Sequence, residues 1–80
     1  MAHKEDLRKW LIEALKAHAG NASIVKLSKY IWENYESELR NSGDLFYTWQ
    51  YDVRWIATRL RKEGVMRSTD LSTRGTWELM

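Results

Sequence analysis

From Thr48 to Arg74 the chain repeats one kind of chemistry. Arg54, Arg61, Lys62, Arg67 and Arg74 are cations that can neutralise phosphates. Thr48, Gln50, Tyr51 and Thr58 add hydroxyl, phenol and amide groups able to bond phosphate oxygens or base edges. Their spacing matters more than their number. At about 100° per residue, Trp49, Val53, Ile56, Ala57 and Leu60 fall in one narrow arc. With Val53 at the centre of that arc, Thr48, Tyr51, Trp55, Thr58 and Lys62 point away from it. Gln50, Arg54 and Arg61 flank one edge, and Arg59 and Asp52 the other. Asp52 also suits the positive start of a helix. Trp55 is the exception among these polar groups: an outward indole either packs under a later segment, near Trp77, or stacks on a partner, and packing is expected. Aromatic and Arg side chains also favour protein interfaces, so a protein-docking surface stays open as the alternative.

Other chemistry is poorly supported. The chain has no cysteine, and its two histidines, His3 and His18, are far apart, which leaves no zinc-ligand spacing. "HAGNAS" has too few glycines, and no suitably placed Lys, for a phosphate loop. Glu33, Glu36 and Glu38 read as a solvated helix face. His18 lies beside an apolar stripe near a helix end, where packing or a dipole-facing role is expected rather than ligation. No enzymatic role, cofactor or metal is expected.

The elements that would position the basic surface can be placed along the chain. Leu7, Leu11, Ala14 and Leu15 repeat at helical spacing, with Trp10 alongside, and Gly20 and Asn21 mark a stop. "NAS", residues 21–23, is extended enough for one small strand. Ser23 suits the N-cap of a second helix running to about Glu36 or Leu39. "NSG", residues 41–43, is loop chemistry, while Leu45 and Phe46 are expected to dip into the core. A third helix is predicted from about Thr48 to Glu63, ended by Gly64. "VMRS" and "TWEL" follow as the arms of a hairpin, separated by a hydroxyl-rich loop. Residues 1–5 are expected to form a loose N-terminal segment of a single domain spanning 1–80.

Eighty residues suit one small domain, and five Trp with four Tyr and one Phe give it large apolar side chains for a core. No apolar run approaches the roughly 20 residues that span a bilayer. The charged start "MAHKEDLRKW" lacks a signal-peptide core. No membrane contact and a cytoplasmic location are expected. The net charge of +2 is unevenly spread. Seven basic and eight acidic side chains precede Arg54, whereas six basic and three acidic follow from it onward. A positive C-terminal third fits an oriented contact with a polyanion.

Three helices closed by a hairpin give an α+β expectation: a three-helix winged helix-turn-helix with a C-terminal β-hairpin wing. "YDVRWIATRLRKEGVMRSTDLSTRGTWEL", residues 51–79, resembles the N-terminal winged-helix domain of Mrr-type restriction-system proteins. The shared features are the Arg-Trp pair of the third helix, the "LRKEGV" exit and the basic-Gly-x-Trp-x-Leu ending. "GNASIVKLSKYIWENY" is similar to that family's second helix with its small-residue lead-in. The resemblance implies double-stranded DNA as partner, with Arg54 on the DNA-facing helix and Arg67 and Arg74 flanking the wing. Cleavage is not carried over, because no nuclease domain accompanies the matching motifs. A protein partner or self-association is the alternative.

Overall fold

The computed structural model describes residues 3–68 and 75–80 of the chain. Helix α1 spans Lys4–Ala17, strand β1 Asn21–Ser23, helix α2 Ile24–Arg40, helix α3 Leu45–Lys62 and strand β2 Thr76–Glu78. The class is α+β, with three helices and a small antiparallel sheet.

The periodic apolar positions form the core. Leu7, Leu11, Ala14 and Leu15 of α1, Leu27 and Ile31 of α2, and Trp49, Val53, Ile56, Ala57 and Leu60 of α3 are all buried together. Leu45 is buried as expected, while Phe46 is half-buried against the rim of the Trp32 ring. His18 takes the packing role: its Nδ1 lies 2.8 Å from the Ala14 carbonyl, and its ring meets Tyr30 edge-on.

Helix ends follow local chemistry, with three departures. Ser23 caps α2 by accepting from the Lys26 amide at 3.2 Å, as its type predicts. Lys4 and Glu5, expected in a loose segment, are instead the first residues of α1. The Asp6 carboxylate accepts from the His3 amide at 2.9 Å and fixes that start. Helix α3 begins at Leu45, three residues earlier than predicted. Backbone bonds from Leu45, Phe46 and Tyr47 to Ser42, Gly43 and Asp44 turn the loop directly into the helix, and buried Leu45 anchors it. Helix α2 reaches Arg40 but leaves helical geometry at Tyr35, at φ −130° and ψ 22°.

The sheet departs from the expected hairpin in its partners. "NAS" does form a strand, and β2 pairs with it antiparallel, Ala22 opposite Trp77. "VMRS" contributes one bridge, Met66 to Leu79, on the other edge of the same C-terminal segment. The amides of Arg67 and Met80 bond the carbonyls of Glu78 and Val65 there. Trp77 points into the core and Thr76 and Glu78 away, so the period-two reading of "TWEL" holds while the main strand partner is β1. Ser68 is described; the loop residues 69–74, with Leu71 and Arg74, lie outside the described residues.

Candidate functional site

Because α3 buries one arc against α1 and α2, its opposite arc is presented outward. Tyr47, Tyr51 and Trp55, spaced four apart, stand on that arc 82%, 64% and 57% exposed. Gln50, Arg54, Arg59 and Lys62 are exposed beside them.

Two acids near this surface, Asp52 and Glu63, are already committed, while Glu5 of α1 stays exposed beside the same cleft. Asp52 is buried, accepts a hydrogen bond from the Thr48 hydroxyl at 2.7 Å, and lies 3.8 Å from the Lys4 ammonium. Glu63 pairs with Arg8 of α1 at 2.6 Å. Arg54, Arg59 and Lys62 have no acidic partner among the described residues. Neutralised acids and uncommitted cations on one helix leave a local positive excess, which a chain-wide +2 conceals.

The predicted site residues divide accordingly. Gln50, Tyr51, Arg54 and Lys62 share the exposed arc and its edge, with their polar ends unpaired among the described residues. Thr48 is exposed, but its hydroxyl is spent on Asp52. Thr58 is half-buried and donates back to the Arg54 carbonyl at 3.2 Å. Arg61, expected on the outward edge, is drawn over the Trp77 ring, 5.5 Å from its centroid. Its Nε is buried with no hydrogen-bond partner among the described residues. The cause is the C-terminal strand, whose Trp77 lies against that edge of α3. Arg67 is exposed but lies 3.6 Å from Glu78, which partly cancels its charge. Arg74 lies outside the described residues.

Trp55 points outward from α3, as its position on the helix predicts. Among the described residues it makes no ring contact with Trp77, and the loop 69–74 of the expected cover lies outside them. Its ring instead meets Tyr51 edge-on, centroids 6.1 Å apart, and lines a cleft between α3 and α1. Tyr47 and Arg59 are further exposed groups outside the predicted list. Tyr47 was marked in the sequence by its i, i+4, i+8 relation to Tyr51 and Trp55, whereas the approach of Lys4 and Arg8 depends on how α1 packs.

A second cluster lies on the opposite side of α1. Glu13 accepts from the Tyr35 hydroxyl at 2.7 and 2.8 Å and from Tyr30 at 3.1 Å. The Tyr35 ring stacks flat on Trp10 at 4.2 Å. Its hydroxyl is pushed up to about 12, first by the bond to the Glu13 carboxylate and then by burial. Tyr30 is raised too, chiefly by burial and then by Glu13. These groups hold α1 to α2 and leave the outward face of α3 untouched. Among the described residues, no helix is long and apolar enough to cross a membrane.

No family model, curated protein or solved structure matches this chain.

Proposed function

We propose that this chain is a non-catalytic winged-helix module that binds double-stranded DNA. Helix α3 enters the major groove, and the segments around β2 lie beside the backbone. The order of helices with a small antiparallel sheet is compatible with that fold. The observation that carries the reading is the pairing pattern: Asp52 and Glu63 are tied to other groups, while Arg54, Arg59 and Lys62 have no acidic partner among the described residues. An exposed helix about 10–12 Å wide suits a major groove of about 12 Å. Gln50, exposed on the same arc, is a side chain that can read an adenine edge. The tail is a weaker contributor, since Arg67 faces Glu78 and Arg61 is covered by Trp77.

One observation favours a second reading. Tyr47, Tyr51 and Trp55 form an exposed aromatic row, and such rows also dock protein partners. The two readings differ in which side chains matter. Replacing Arg54 and Lys62 together by alanine should weaken binding to a short mixed-sequence duplex about 30-fold at about 0.15 M salt, because two phosphate contacts are lost. Both positions are exposed, so the variant should fold. Unchanged duplex affinity in the folded double variant would remove α3 as the DNA-facing helix.

A further inference from the structure

The cleft between α1 and α3 has a volume of about 420 Å³ and chemistry that duplex binding does not use. Trp55 and Tyr51 give it two aromatic walls whose planes meet at 71°. Ile56 adds an apolar surface, and Asp52, only 7% exposed, has Oδ2 taken by Thr48 but keeps acceptor capacity on Oδ1, which lies 3.8 Å from Lys4, beyond a hydrogen bond. Arg59 and Lys4 stand at the rim, with Arg8 beside them held by Glu63. Lys4 faces Asp52 and Arg8 faces Glu63, so Arg59 is the lining cation left without an acidic partner among the described residues, and it favours an anionic group beside it. Flat apolar walls, an inner acceptor and a guanidinium unpaired among the described residues fit a flat amino-bearing ring joined to an anion. A nucleotide has that form.

Within an intact duplex each base face is covered by its neighbours, so Trp55 would have nothing to stack on there. We propose that the cleft lined by Trp55, Tyr51 and Arg59 holds an unpaired nucleotide of a nucleic-acid strand. The base stacks on the indole, Asp52 accepts from an adenine or cytosine amino group, and Arg59 takes the adjoining phosphate. This rests on the duplex-binding reading and deepens it. The module would grip a duplex by the Arg54 edge of α3 and favour a junction or end, where an unpaired base can reach the other edge.

The test compares labelled blunt duplex with the same duplex carrying a short deoxyadenosine overhang, and uses free dAMP as competitor. The overhang should bind about tenfold more tightly, equivalent to ~1.4 kcal/mol and within the range for one base stacked on an aromatic ring. Trp55→Ala should bring the ratio of the two affinities to about one, and Trp55→Phe should keep most of it. Arg54→Ala should weaken both duplexes alike and preserve the ratio. Displacement of the overhang duplex should need far more dAMP than unlabelled strand.

Equal affinity for the two duplexes would overturn the nucleotide cleft while leaving duplex binding intact, and it is also the result expected if Trp55 serves a protein partner. A ratio that survives Trp55→Ala in a folded protein would overturn it as well. Displacement by dAMP at the strand's own concentration would overturn the strand as occupant. Binding to the overhang without binding to the blunt duplex would uphold the cleft and overturn duplex recognition. No binding to either at low salt would overturn both.

Discussion

Glu13, on the side of α1 away from the candidate face, shows how one carboxylate holds two helices together. It takes hydroxyl hydrogen bonds from Tyr30 and Tyr35, and the Tyr35 ring lies flat on Trp10. Tyr35 leaves helical geometry in the same place, which ties the break in α2 to this contact with α1. Removing the hydroxyl with Tyr35→Phe should cost about 1–2 kcal/mol of unfolding free energy near neutral pH, measurable by chemical denaturation. The pH dependence has a definite sign. The phenol's folded-state pKa, about 12, lies above the ordinary 10.0, so its contribution is fully present below pH 10 and is lost as pH rises towards 12. The wild-type protein should therefore lose its advantage over Tyr35→Phe across that window, and a constant gap between the two would contradict the assignment. Arg61 makes the opposite point. Its type suggested a phosphate contact, but a neighbouring indole 5.5 Å away has taken the guanidinium first.

At the scale of elements, two helices end in the same way. After α3, Gly64 is left-handed at φ +80°, its amide bonds the Arg61 carbonyl, and the Val65 amide bonds that of Leu60. After α1 the same two bonds run from Ala19 to Lys16 and from Gly20 to Leu15, but the left-handed position at φ 60° is held by an alanine. Ala19→Gly should relieve that conformation and raise stability by about 1 kcal/mol, read as a higher Tm; a lower Tm would mean that the alanine methyl makes a contact worth more than the strain. The ends and apolar faces were legible because they depend on neighbours within a few residues. Ser23, Gly64 and the Trp49–Leu60 arc are of that kind. The sheet was only half legible. Three-residue strands carry little periodicity, and nothing local in "NAS" says that its partner lies at Trp77. Arg61 was misplaced because which edge of α3 the C-terminal strand covers is a tertiary fact, invisible to a helical wheel.

Across the whole molecule, charge pairing rather than net charge defines the candidate surface. Asp52 and Glu63 are tied to α1, through Lys4 and Arg8, so the contact that docks the first helix on the third also removes acids from the exposed face. What remains is a helix bearing Arg54, Arg59 and Lys62, with aromatic side chains between them. The outward arc was legible as a pattern in the sequence, but its electrostatic character was not, because it depends on pairs formed between residues more than forty positions apart. The central claim is that this face binds duplex DNA through phosphate contacts. A titration of the folded protein with a short mixed-sequence duplex, repeated over a series of salt concentrations, tests it most directly. Neutralising about three phosphates predicts that log affinity falls against log salt with a slope near −3. Affinity indifferent to salt, or no binding at the lowest salt, would contradict it.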